Sequence, residues 1–429
     1  MNLYIKSARI IDPNSKYHNQ IMDIYIENDT IKNIAKNIKI PLKKSKEYEV
    51  FSAKNLHVSP GWFDLHVNFG DPGFEYRETL MTGTNAAAFG GYTGVLIMPN
   101  TKPFIDNIGL INYIKNKTKG NVVDVFPAGN ITNKCEGNEI VEMHDMKKAG
   151  CLAFTDDKDS IERHEIMKIA LQYSKDCDTL IMNFPNNKSL SIGGTMHEGE
   201  ISIQLGLKGI PSISEEITLN RDIRLCEYTN SKLHISYIST KESTKIIKEA
   251  RRKGIQITSD VNIYNLFLTD NCVNNFDTRY KVLPPLRSLK DSKALIKALK
   301  ENIIDVITTD HTPQENEDKK IDFIQAKYGI IGLETSFGLL GKYILPHLGI
   351  TELINKIAIN PRKILNIDIP SIKENKRANL TLFDPEKEWV FKKENIKSKS
   401  NNTPFISKNL RGKALAIYNN NQFIKCSNL

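Results

Sequence analysis

The sequence predicts an α/β protein built on a (β/α)8 TIM barrel, with a small composite β-sandwich domain formed by both termini. Three observations predict it. Eight apolar runs of strand length lie between about His57 and Pro361, with helical segments between most neighbours; this is the pattern of parallel βα units, and eight of them close a barrel. Short alternating runs broken by polar turns fill the first 55 residues and return near the end, so both ends read as β structure. A length of 429 residues exceeds one small domain and suits a large barrel with an added module. The expected boundaries are 1–55 and 364–429 for the two parts of the composite domain and 56–363 for the barrel.

At the N-terminus, "LYIKSARII", "MDIYIEND" and "TIKNIAKNI" alternate as half-buried strands do. The barrel runs follow in order: "HVSPGWFDLHV", "TGVLIMPN", "NVVDVFPAGN", "GCLAFTDD", "DTLIMNF", "KLHISYIS", "GIQITSDV" and "NIIDVITTD". One helix is legible in detail, just after the sixth run. Ser239 and Glu242 stand at capping-box spacing, Ile246, Ile247 and Ala250 make an apolar stripe, and Gly254 suits the position after the C-cap. "RANLTLFDP", "EWVFKK" and "KALAIYNNNQFIKC" then read as strands that pair with the N-terminal ones. An open flavodoxin-like sheet would rarely need eight runs, and no G-x-G-x-x-G follows any of them.

Composition narrows the function classes. The net charge of +9 comes from 59 basic and 50 acidic residues spread along the chain, which argues against nucleic-acid binding. The "RRK" cluster at Arg251–Lys253 falls near a helix end, where positive charge suits the macrodipole. The six cysteines show no CxxC spacing and no density suggesting disulfides, which fits a reducing cytoplasm. No apolar h-region opens the chain, and no window approaches the roughly 18 apolar residues of a membrane span. A cytoplasmic protein without a membrane partner is expected.

In such a barrel, chemistry collects at the C-terminal ends of the strands. Those positions hold His66 and Asn68, Asn100, Asp156 with Asp157, Asn183, Tyr237, and Asp310 followed by His311. The stretch "GWFDLHVNFGDPGFE" resembles a strand ending in His-x-His, a recurrent zinc-holding device, but Asn68 stands at the second position. Each residue also has a structural reading: a histidine hydrogen-bonded inside the mouth, a carboxylate capping the next element, an asparagine in a turn. His234 lies three positions before Tyr237, and strand alternation sends the two to opposite faces, so with Tyr237 inward His234 should point away. His197, between runs five and six, is free to fold over the mouth as a replacement ligand.

"PGWFDLHVNFGDPGFEYRETLMTGTNAAAFGGYTGVLIMPNT", "GCLAFTDD", "ISTKESTKIIKEARRKGIQIT", "YKVLPPLRS", "TTDHTP" and "NTPF" resemble the dihydroorotases of the amidohydrolase superfamily in order and approximate spacing, over nearly the whole chain. The resemblance implies hydrolysis and formation of the cyclic amide of dihydroorotate, with one or two zinc ions held by four histidines and by aspartates. It places His66, Asp156 and Asp310 at metal positions, Asp310 as the catalytic carboxylate and Asn100 as a substrate contact, while Asn68, Asn183 and Tyr237 replace expected histidines. Gly70 replaces an arginine that would pair with the substrate carboxylate, Leu283 an asparagine and Gln314 a histidine.

Zinc favours imidazole and thiolate and usually takes at least three protein ligands, so no cofactor is expected unless the protein is active, in which case zinc is. The main expectation is a catalytically impaired member that acts as an assembly partner of aspartate transcarbamoylase, as some dihydroorotases do, and is itself a homo-oligomer. The alternative is an active divergent dihydroorotase or other cyclic-amide hydrolase using His66, Asp156, His197 and Asp310 around a rearranged metal. Hydantoinase-like relatives match less well, because "FTDD" ends strand four where they carry a lysine.

Overall fold

The computed structural model describes residues 1–38 and 48–427. Parallel strands Trp62–Val67, Tyr92–Ile97 and Asp124–Pro127 form one run, and Ala153–Phe154, Leu180–Asn183, Leu233–Ile235, Ile257–Asn262 and Val306–Thr308 form another. Parallel bridges Gly129–Phe154 and Val67–His311 join the two runs into a closed barrel. These are barrel strands one to eight. Strands one and two are buried at every position, as a parallel sheet covered on both faces requires, which is why the sequence showed near-continuous apolar runs there.

Inside the barrel, Phe63, Leu65, Leu96, Met98, Ala153, Met182 and Val306 belong to one apolar cluster. The polar residues discussed below lie toward the C-terminal ends, so the barrel has an apolar floor and a polar mouth.

The chain's two ends share one sheet. Its strand order is Gln422–Lys425, Asn409–Asn419, Leu380–Val390, His57–Pro60, Asn2–Ile10, Ile21–Glu27 and Thr30–Ala35, with Glu49–Phe51 also on Asn2–Ile10. The expected composite β domain is therefore present. The run "HVSPGWFDLHV" is divided: His57–Pro60 belongs to this sheet and Trp62–Val67 to the barrel. Gly61 makes the junction possible, since a Cβ there would lie 2.0 Å from Asn379 Oδ1 and 2.1 Å from Thr93 Oγ1.

The helix after strand six spans Lys241–Arg252, with Ile247 and Ala250 buried and Gly254 at φ 80° after the C-cap Lys253. Its N-cap is Thr240, whose side chain accepts from the Ser243 N–H. Ser239, one residue earlier, instead bonds Glu215, a buried carboxylate on the neighbouring helix Ser212–Thr229. All six cysteines are free thiols. Among the described residues no helix is long and apolar enough to cross a membrane.

Candidate active site at the barrel mouth

Three strand ends carry non-glycine residues in the left-handed region: Asp157 at φ 49°, Tyr237 at φ 57° and Asp310 at φ 47°. Such backbone is uncommon outside glycine and asparagine and clusters at functional sites. Here it breaks strand alternation at strands four, six and eight, so side-chain direction at the mouth departs from what spacing implies.

The lower layer is a buried triad. Asp260 Oδ2 lies 2.6 Å from His66 Nε2 and 2.8 Å from His234 Nε2, and Asp260 Oδ1 accepts the Tyr237 N–H at 2.8 Å. Burial alone would raise the Asp260 carboxyl, yet the His66 charge and hydrogen bonds from both imidazoles hold it well below the usual carboxylate range. Burial likewise opposes the His66 charge, and Asp260 more than offsets it, so His66 titrates above an ordinary histidine. Beneath them, burial pushes the Asp64 carboxyl up to about 6, although it accepts the His66 N–H. The expectation that His234 points away from Tyr237 is corrected here. Tyr237 lies beyond the strand end at Ile235 in left-handed backbone, so its ring stands 4.2 Å from that of His66 while His234 also faces inward.

The upper layer is a net of amides, carboxylates and one ammonium. Asn100 Nδ2 donates to Asn68 Oδ1 at 2.6 Å and to Asp157 Oδ2 at 2.8 Å, and the Tyr237 hydroxyl lies 3.4 Å from Asp157 Oδ1. Asn68 donates in turn to Thr312 Oγ1 at 3.0 Å. Lys158 Nζ sits 2.8 Å from both carboxylate oxygens of Asp310 and 5.2 Å from the centre of the Tyr237 ring. Asn262 Nδ2 adds a 3.0 Å bond to Asp310 Oδ2. Burial pushes the Asp157 carboxyl up to about 6, the Lys158 charge opposing this and Asp310 adding to it.

The structure gathers His66, Asn68, Asn100, Tyr237 and Asp310 into these two layers, and it places other expected residues elsewhere. The Asp156 carboxylate does not join His66 and Asp310: Asn130 Nδ2, the N–H groups of Ile131 and Thr132, and the Thr132 hydroxyl all donate to it. It anchors the loop after strand three, and Asp157 faces the mouth in its place. Asn183 donates to Asp222 Oδ2 at 2.7 Å, a carboxylate also held by Arg221. Gln314 donates to the Tyr328 carbonyl. A Cβ on Gly70 would come 2.6 Å from the Phe74 carbonyl oxygen, so the loop closes over that position. His311 meets Glu78 at 3.3 Å and accepts the Gly332 N–H, a buried structural role.

His197 does not replace a ligand at the mouth, because its Nδ1 packs 3.3 Å from Arg287 Nη1. Burial and the Arg287 charge lower its pKa to about 4. The folded chain thus refuses a proton that the unfolded chain accepts near pH 6.5. Stability from this source is full above pH 6.5 and declines as pH falls toward 4. We expect His197→Gln to flatten that limb of a urea-midpoint profile between pH 7 and pH 4, compared with the unmodified chain.

Sequence reasoning missed Lys158, Asp260, Asn262 and the inward turn of His234. A signal existed for two of them: Asp260 and Asn262, spaced by two in strand seven, share a face. Lys158 directly follows Asp157 in "FTDDKD", but nothing in the spacing tells where its long side chain reaches. A cavity of about 720 Å³ also opens at the other end of the barrel, among Gly94, Asp124, Arg362 and Arg377. It contains no histidine and lies away from the strand ends where the triad sits, so it is not the candidate site.

The fold and site together are a closed parallel barrel with histidines and carboxylates at its mouth and a β domain built from both termini. The fold is similar to L-hydantoinase (dihydropyrimidinase) from Arthrobacter aurescens, with a TM-score of 0.85 over 99% of this chain and 96% of that one at 19% identity. A family model described as "Dihydro-orotase-like" matches residues 56–243. A dihydroorotase from Geotalea daltonii is 40% identical over 416 residues, covering 96% of this chain and 97% of its own length. One from a Thermoanaerobacter species is 42% identical over 415 residues, covering 96% and 94%. The chain belongs to the dihydroorotase family. The family's implied metal has one candidate place here: among the described residues, the ligand atoms of His66, His234 and Asp260 lie within 4.8 Å of one another and could hold an ion.

Proposed function

We propose that this dihydroorotase-family protein of pyrimidine biosynthesis is catalytically impaired and acts in the cytoplasm as a non-catalytic assembly partner of aspartate transcarbamoylase. One observation carries the reading: the side chains at the expected histidine positions are amides and a phenol already committed to neighbours. Asn68 is tied to Asn100 and Thr312, Asn183 to Asp222, and Tyr237 to Asp157. Hydrolytic zinc needs a set of imidazole or anionic ligands and one open position, so that bound water is acidified. The residues at the strand ends do not fit that centre. The fold can persist without the family's turnover, because function lives in the site and not in the fold.

A second reading rests on the triad of His66, His234 and Asp260, which has acceptable metal donors. It is less favoured. All three side chains are buried, Asp260 is already paired with both imidazoles, and the Tyr237 ring lies tilted 4.2 Å from that of His66.

The test is elemental analysis of protein purified without chelator, with assays of N-carbamoyl-aspartate cyclisation and dihydroorotate hydrolysis, and gel filtration with aspartate transcarbamoylase. The expected result is substoichiometric zinc, no turnover above the blank, and co-elution with the transcarbamoylase. Near-stoichiometric zinc with turnover that disappears in Asp310→Asn would overturn the impaired reading; separate elution would overturn the partner.

A further inference from the structure

We propose that the Lys158 ammonium is the resident cation of the barrel mouth, supplying from the chain itself the positive charge that a metal gives the family's centre. This inference rests on the metal-poor reading above and adds what takes the metal's place.

The charges at the mouth require such a cation. Asp157 and Asp310 are buried there, with Asp64 and Asp260 also buried in the layer below, and burying a carboxylate without a counter-charge is costly. In the lower layer, His66 is paired with Asp260. No arginine, second lysine or histidine forms an ion pair with Asp310 or Asp157 among the described residues, which leaves Lys158 as the counter-charge for the upper layer.

The geometry suits an ammonium. Both Asp310 oxygens stand 2.8 Å from Nζ, the length of a charge-assisted N–H to oxygen bond. A carboxylate offers about four lone-pair sites. Those of Asp310 face two contacts from Lys158, one from Asn262 Nδ2 at 3.0 Å and the Thr312 hydroxyl at 3.2 Å. The Tyr237 ring, at the position where the family resemblance implies a histidine, presents its face to the ammonium at 5.2 Å, an arrangement that attracts a cation and offers a metal no imidazole nitrogen. The substitution of Tyr237 and the presence of Lys158 are thus two halves of one change: an aromatic face and an ammonium in place of an imidazole and a metal ion.

The test is a charge-balance cycle on the full-length chain, read by thermal unfolding after chelator treatment. Lys158→Met leaves Asp310 buried without a counter-charge, and Asp310→Asn leaves the ammonium unpaired, so each single variant should lower the midpoint by several degrees. The double variant Lys158→Met with Asp310→Asn should regain most of the loss, because the pair is removed as a unit. Strictly additive losses would overturn the proposal, as would no loss in Lys158→Met. Added zinc should leave the unmodified midpoint in place. A zinc-dependent rise that vanishes in Asp310→Asn would also overturn it, since a metal would then be displacing the ammonium. Turnover measured on the same samples separates the two readings. Turnover alongside an intact coupling defeats only the impaired-enzyme reading, and an additive cycle in a silent protein defeats only this one.

Discussion

Asp260→Ala is expected to cost about 3–5 kcal/mol, the loss typical of removing one partner from a buried ionic pair. That is a large share of the roughly 5–15 kcal/mol available to a folded protein. The reason lies in how many groups depend on one carboxylate. Asp260 is fully buried and takes hydrogen bonds from His66, His234 and the Tyr237 N–H. Truncation strands two ring nitrogens and a backbone donor in a site with no access to water, and it removes the charge that favours protonated His66. It also releases Tyr237 from the left-handed backbone that brings its ring over His66. Asp260→Asn keeps the shape but turns one oxygen into a donor, so it should fall between the unmodified chain and Asp260→Ala. Urea denaturation measures both. A change within about 0.5 kcal/mol for Asp260→Ala, the range of an ordinary surface substitution, would mean that the triad does not hold strands one, six and seven together.

The architecture was legible because it rests on periodicity and count. Eight buried runs separated by helical segments permit few closed arrangements, and alternating runs at both ends find one sheet. The exact junctions were less legible: the first long run divides at Gly61, where packing against Asn379 and Thr93 decides the break, and the cap of the helix after strand six shifts from Ser239 to Thr240 because Glu215 claims the serine. At the mouth, residue types were legible and directions were not. Asp156 and Asp157 are adjacent in sequence, and only the left-handed backbone at Asp157 decides which one faces inward. The same kind of turn at Tyr237 defeated the alternation argument for His234. Long-range partners such as Lys158 with Asp310, 152 positions apart, leave no local trace.

Restoring histidines should not restore catalysis. Asn68→His, Tyr237→His and Asn183→His, singly or together, are expected to leave dihydroorotase turnover at least ~10³-fold below an intact family member assayed in parallel, since each roughly 1.4 kcal/mol of missing transition-state stabilisation costs tenfold. Three features outside those positions account for the deficit. Lys158 remains on both oxygens of Asp310, so the carboxylate meant to serve as base or ligand stays occupied. The position of Asn183 is aimed at Asp222, whose other oxygen Arg221 holds, so a histidine there meets a carboxylate and not the mouth. Gly70 cannot give way to the missing arginine: its Cβ would strike the Phe74 carbonyl at 2.6 Å, and the lost charge-assisted pair to the substrate carboxylate is worth about 2–5 kcal/mol in binding. Adding Lys158→Gly to the triple variant frees Asp310 but leaves the Gly70 loop closed, so zinc uptake should rise while turnover stays low. Substantial turnover in Asn68→His alone would show that the loss at this mouth is confined to one ligand and that the surrounding net yields to a metal.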